Sequence, residues 1–181
     1  MLFGMVNATA AALEAGLPNI MDAPKTAGRV ELISRRPAEG EREPLEVGTL
    51  DTELGLVGDY WSTPAGGNYR PMQLTLVNAR AAAVVIGPRE RWALSGDQLY
   101  VDLDLSSENL PPGTRLAVGT AVVEVSDQPH TGCSQYRDRF GVDAVRFVNS
   151  EQGRALNLRG LNTTIVLGGE VRIGDEVRKL D

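Results

Sequence analysis

Reactive side chains are scarce in this chain. Its 181 residues contain one cysteine, Cys133, and one histidine, His130. A lone cysteine excludes an intramolecular disulfide framework, and one Cys with one His builds a tetrahedral zinc site only if carboxylates supply the other ligands. No His-x-x-His, Cys-x-x-Cys or HExxH pattern occurs, nor a GxxxxGK[ST] phosphate loop. Basic charge is also short: 18 Lys and Arg against 24 Asp and Glu give a net charge of −6. A nucleic-acid groove needs a clustered excess of cations, so the expected partner is a small molecule or another protein. The first twenty residues carry no basic stretch ahead of their apolar one, so secretion is not expected and a cytoplasmic location is. The Asn-x-Thr sequons at Asn7 and Asn162 then become chance matches.

What is present fits a globular chain. Apolar residues make up 42% and charged residues 23%, which suggests neither disorder nor a membrane span. The length suits one domain able to bury a core without disulfides or structural metals. Thr9 to Gly16 is rich in helix formers and precedes Pro18, predicting a short helix in an N-terminal appendage over residues 1–27. From Gly28 the period changes to two: GRVELISR and PLEVGTLD (44–51) are expected strands joined by a polar turn. Gly55 to Pro71 has no period and is rich in glycine, as loops that line sites or move often are. MQLTLV is an expected strand. NARAAAVVIG is an expected helix, capped by Asn78 and closed at Gly87.

In the second half, SGDQLYVDLDL, LPPGTRLAVG, TAVVEVSD and TTIVLGGEVRIGDEVRKL are short β segments punctuated by turns. Helices are expected at Ser134 to Phe140, Val142 to Asn149 and Ser150 to Asn157. The fold expected is mainly β, a closed or nearly closed β-barrel over residues 28–181 with a few short peripheral helices.

Cys133 stands just past a strand, after the turn Pro129 to Gly132, and immediately before an expected helix. The positive end of a helix dipole, with Arg137 and Arg139 in the next two turns, favours a thiolate. The alternative is a small buried hydrophobe. His130 is either a surface turn residue or a general base for a Cys133 nucleophile, the latter requiring hydrogen-bond reach between them. Asp59, Asp97, Asp102 and Asp104 sit in Gly-Asp or strand-end positions where Asp favours turns. Tyr60 and Trp61 either pin the glycine-rich loop or cover a planar ligand.

Taken in order, GLVGD (55–59), SGDQLYVDLDLSSENL (95–110), LAVGTAVVEVSD (116–127), PHTGC (129–133), VRFVNSEQGRALNLRGLN (145–162) and IGDEV (173–177) resemble a MOSC domain, named for the C-terminal domain of molybdenum-cofactor sulfurase. The likeness covers residues 28–178 and implies a β-barrel associated with molybdenum cofactor (molybdopterin). It implies that Cys133 ligates molybdenum or carries persulfide sulfur, and that Asn109 contacts the cofactor. The reductases among its relatives act on N-hydroxylated compounds.

Such a cofactor brings its own sulfur and oxo ligands, so a single protein thiolate completes the metal's sphere. Arg70, Arg137 and Arg159 are then candidate phosphate donors, and Asp59 and Asp102 candidate contacts to the pterin. Two departures stand out. Many relatives carry Arg-x-Pro-Cys where this chain has Gln128-Pro-His-Thr-Gly-Cys133, and Ser107 stands where some carry Arg. No cysteine set for an iron–sulfur cluster occurs, so a sulfur donor or electron-transfer protein is the expected further partner. A cysteine-nucleophile enzyme using Cys133 and His130, and a non-catalytic barrel module, remain open alternatives.

Overall fold

The computed structural model describes residues 7–181. Its elements in chain order are α1 (Ala10–Met21), β1 (Ala27–Arg35), β2 (Glu43–Leu45), β3 (Val47–Asp51), β4 (Gly55–Leu56), β5 (Leu74–Asn78) and α2 (Ala79–Val85). There follow β6 (Leu99–Asp102), β7 (Arg115–Val118), β8 (Ala121–Val125), α3 (Ser134–Phe140), α4 (Val142–Asn149) and α5 (Glu151–Ala155). The last strands are β9 (Leu161–Leu167), β10 (Gly169–Arg172) and β11 (Glu176–Lys179).

Seven strands close into a barrel in the order β1-β6-β5-β9-β8-β7-β11, with β11 returning to pair with β1. The pair β5 and β6 is parallel, which demands a crossover rather than a hairpin. Here the crossover is α2 followed by a 3-10 helix, Arg89–Ser95.

Strand periodicity sorts the side chains. On β6, Leu99 and Val101 enter the barrel core with Ile33, Leu76, Val123 and Ile165, while Tyr100 points the other way into a layer of helices. That outer layer buries Leu13, Leu17 and Ile20 of α1 against Ala82, Val85, Phe140 and Phe147. All five residues of β5 are buried, as expected for a strand covered on both faces.

The closed barrel matches the sequence expectation, but helix and strand each hold about 30% of the residues, so the balance is mixed α/β. Asn78 caps α2 by accepting from the amides of Arg80 and Ala81, and the three expected helices after Cys133 form as α3, α4 and α5. Helix α1 runs past its expected end at Gly16 because Leu17 and Ile20 continue its buried face. Gly16 serves close packing instead of termination: a Cβ there would lie 2.5 Å from Val84. Residues 1–6 of the expected N-terminal appendage lie outside the described residues.

The expected strand PLEVGTLD splits in two. The chain changes sheets at Glu46, whose carbonyl accepts from the Ile173 amide at 3.1 Å, so β2 pairs with β1 and β3 with β10 and β4. Among the described residues no helix is long and apolar enough to cross a membrane.

Barrel closure passes through Gly28, which pairs with Val177 while β6 lies on the other side of β1. A Cβ at Gly28 would stand 1.7 Å from the carbonyl oxygen of Asp102, a backbone atom that cannot rotate aside. Gly28→Ala is therefore expected to destabilise the protein by about 3 kcal/mol, the upper end for overpacking. Urea denaturation checks this, and a loss below about 0.5 kcal/mol, the range of inert surface changes, would contradict the closure described.

Candidate functional site

The site begins with a turn. The 3-10 helix Arg89–Ser95 ends at Gly96, whose φ of 87° is left-handed and whose amide donates to the Ala93 carbonyl. The reversal drives Asp97 into the interior, where it is 1% exposed. Its Oδ2 accepts from Arg159 Nη1 at 2.6 Å and from Ser95 Oγ at 2.5 Å, and its Oδ1 bonds His130 Nε2 at 2.8 Å. The Tyr100 hydroxyl donates to the Trp92 carbonyl at 2.6 Å, and its oxygen lies 2.7 Å from Ser95 Oγ.

Burial alone would raise the Asp97 carboxyl. The Arg159 guanidinium and the His130 and Ser95 hydrogen bonds more than reverse this, holding it well below the usual carboxylate range. Burial and the field of Arg159 lower His130, and Asp97 offsets them only in part. The neutral imidazole facing an ionised carboxylate must donate from Nε2, which leaves the lone pair on Nδ1. Arg159 is further fixed by donating to the Ser95 carbonyl at 3.2 Å and by lying over the Tyr136 ring, 4.7 Å from its centroid.

The loop Gln128 to Cys133 is tied at three points. Asn162 Nδ2 donates to the Gln128 carbonyl, Asp97 holds His130, and Asn149 makes a reciprocal pair with Gly132 at 2.9 Å in both directions. Cys133 follows as the N-terminal flanking residue of α3, with no capping bond from its side chain, and it is exposed. No hydrogen bond joins it to His130, whose Nε2 is taken by Asp97.

Cys133, His130 and Arg159 line one cavity of about 370 Å³, within the range of about 300–1,000 Å³ usual for small-molecule sites. Arg36, Arg42 and Arg139 add three more guanidiniums, and Tyr60, Trp61, Tyr69 and Met72 of the glycine-rich loop form another part of the wall. Asp59 stands behind the wall: its carboxylate accepts from the Arg36 amide, Nε and Nη2 at 2.8–3.0 Å and from the Trp61 amide at 3.0 Å. One buried carboxylate thus places both an arginine and the loop's tryptophan.

The remaining sequence candidates lie away from the cavity lining. Arg70 donates to the Thr52 carbonyl and to Glu53, and Arg137 pairs with its neighbour Asp138. Asp102 pairs with Arg80. Asn109 donates to the carbonyls of Lys25 and Asp104, tying the segment before β1 to the loop after β6. Among the described residues no group of three or more His, Cys, Asp and Glu gathers to hold a metal ion.

No family profile matches the sequence, and no curated protein matches it. Solved structures do. The YuaD protein of Bacillus subtilis superposes with a TM-score of 0.62 at 17% identity, over 84% of this chain and 94% of that one. YiiM of Escherichia coli gives 0.56 at 19%, over 84% and 70% of the two chains. YiiM of Geobacillus stearothermophilus gives 0.54 at 13%, over 85% and 73%. The fold is MOSC-like. In this MOSC-like barrel the cavity sits where the parallel crossover, the glycine-rich loop and the loop bearing Cys133 converge.

His130 is the only histidine, so its imidazole resonances need no assignment. They are expected to titrate below 6.5, the ordinary value. A neutral ring preferred by the folded state means stability is fully present above pH 6.5 and falls as pH drops through 6.5 towards the lower folded value. The depressed Asp97 carboxyl acts in the same direction at lower pH, its contribution being lost below about pH 4. A folded-state imidazole titrating above 6.5 would contradict the arrangement.

Proposed function

We propose that this chain is a stand-alone MOSC-type protein that binds molybdenum cofactor in the cavity beside Cys133. The observation that carries the reading is an exposed free thiol at the edge of a cavity lined by four arginines in a chain of net negative charge. The donor set suits the group. One soft sulfur is what a dithiolene-bound metal needs from the protein, and guanidinium forks suit an anionic pterin phosphate. Arg159 Nε, Trp61 Nε1 and Asn162 Oδ1 are buried polar atoms without partners, all on residues that line the cavity. A polar heterocycle offers donors and acceptors to such groups.

When bound, the cofactor supplies two-electron redox chemistry and transfer of an oxygen or sulfur atom. The residues around it have distinct roles. Cys133 is the metal ligand, and Arg159, locked by Asp97 and Tyr136, is a fixed cation rather than a mobile arm. Arg36, held by Asp59, is a second. His130 keeps its proton on the Asp97 side, so its Nδ1 is the atom available to accept one. In this reading the protein is the catalytic component of a reductase of N-hydroxylated compounds and takes electrons from a separate protein.

The exposure of Cys133 favours a second use of the same site, carriage of sulfur as a persulfide that a partner protein can reach. Cyanide-labile sulfur on the wild type, absent from Cys133→Ser, distinguishes it.

Protein purified from a host that makes the cofactor is expected to contain molybdenum near one equivalent, and Cys133→Ser to lose at least about tenfold. That factor corresponds to about 1.4 kcal/mol, modest for loss of a metal ligand. Metal analysis with pterin fluorescence after oxidation checks it, and equal or absent metal in both proteins would overturn the cofactor reading.

A further inference from the structure

The four cavity arginines fall into two pairs. Arg159 and Arg36 are each neutralised by a buried carboxylate, Asp97 and Asp59. Among the described residues, Arg42 and Arg139 form no salt bridge with a carboxylate. Arg42 donates through Nε to the Ala93 carbonyl at 3.1 Å and through Nη1 to the Glu41 carbonyl, and Arg139 donates through Nη1 to the Leu94 carbonyl at 2.6 Å. The consecutive carbonyls of Ala93 and Leu94 anchor the two guanidiniums on neighbouring peptide units although they come from distant parts of the chain, one from the turn before β2 and one from α3. A built Cβ on Gly96 would stand 3.1 Å from Arg42 Nη2, so the bare glycine leaves that nitrogen room beside the turn.

Two like charges held side by side in a half-buried wall repel each other. Burial, then the fields of Arg139 and Arg36, lower the Arg42 guanidinium. The chain has more carboxylates than cations, yet only Glu39 and Asp97 reach the cavity lining, and Asp97 is fully engaged. A pair of planar donor forks held by carbonyls and not by carboxylates is an arrangement that accepts an oxyanion.

We infer that Arg42 and Arg139 form an oxyanion subsite that selects small ligands carrying a carboxylate or phosphate group and guides them to Cys133. The subsite is a property of the cavity wall and holds whether the bound anion is the pterin phosphate of the proposed cofactor or a separate small ligand.

Cys133 is the only cysteine, which makes its alkylation a local probe of charge. Iodoacetate, an anion, and iodoacetamide, its neutral analogue, differ chiefly in charge. In the metal-free protein the ratio of their rates is expected to fall at least about fivefold in Arg42→Gln/Arg139→Gln. It should hold in the charge-matched control Arg115→Gln/Arg178→Gln, whose arginines are exposed and paired with Glu124 and Glu176. Added inorganic phosphate should slow iodoacetamide on the wild type and leave the Arg42→Gln/Arg139→Gln protein unaffected.

If that double variant fails to fold, the wild type alone decides, through a rate ratio that falls on raising salt and on unfolding in urea. An unchanged ratio in the folded double variant would overturn the subsite, as would a wild-type ratio indifferent to salt and urea. Phosphate that protects wild type and double variant equally would do the same. Loss of molybdenum binding with the ratio intact would strike only the cofactor reading.

Discussion

Everything at the mouth of this barrel depends on one carboxylate taken out of water. Asp97 is desolvated, and such a charge is tolerable only when every lone pair finds a strong donor. Arg159, Ser95 and His130 supply those donors, each from a different part of the chain. The consequence is geometric: one buried anion fixes the arginine that reaches from the turn after α5, the histidine of the Cys133 loop and the end of the 3-10 helix in a common frame. The barrel strands below are packed by Leu99, Val101 and Ile165, so the frame rests on a rigid base. The loop bearing Cys133 is carried on that base, not built into it.

Asp59 repeats the device at another part of the wall by fixing Arg36 and the Trp61 amide. Two carboxylates thus neutralise two arginines and immobilise them. The other pair, Arg42 and Arg139, is held by main-chain carbonyls, which orient a guanidinium without cancelling its charge. The cavity of this acidic protein therefore holds two arginines that form no salt bridge among the described residues, next to an exposed thiol. Positioning and charge have been assigned to different residues.

The barrel was largely legible from period-two runs and turn residues, because closure buries one face of every strand. Asn78 and the segments from Ser134 to Asn157 announced their helices through capping and composition. The split of PLEVGTLD was not legible, since a change of sheet at Glu46 is decided by distant β10 and leaves no local mark. Nor was the 3-10 helix Arg89–Ser95, a short element whose formation is bound up with the packing of Trp92 against Tyr100.

At the site, the placement of Cys133 before a helix was readable, and Arg159 was named for its segment. Gly96-Asp97 was read as a turn, and a turn it is, but its burial depends on Arg159 62 residues away in sequence. Arg36 and Arg42 flank a polar hairpin tip that looks like solvent-facing sequence, and Asn149 sits on an ordinary amphipathic helix. Nothing local distinguishes such residues from surface ones, because their partners come from elsewhere in the chain.

In the proposed function this frame presents the Cys133 sulfur to molybdenum. X-ray absorption at the molybdenum edge, on protein loaded with the cofactor, tests it most directly by counting sulfur neighbours. One more sulfur is expected around the metal in the wild type than in Cys133→Ser reconstituted with the same cofactor. An identical sulfur count in the two proteins would contradict it.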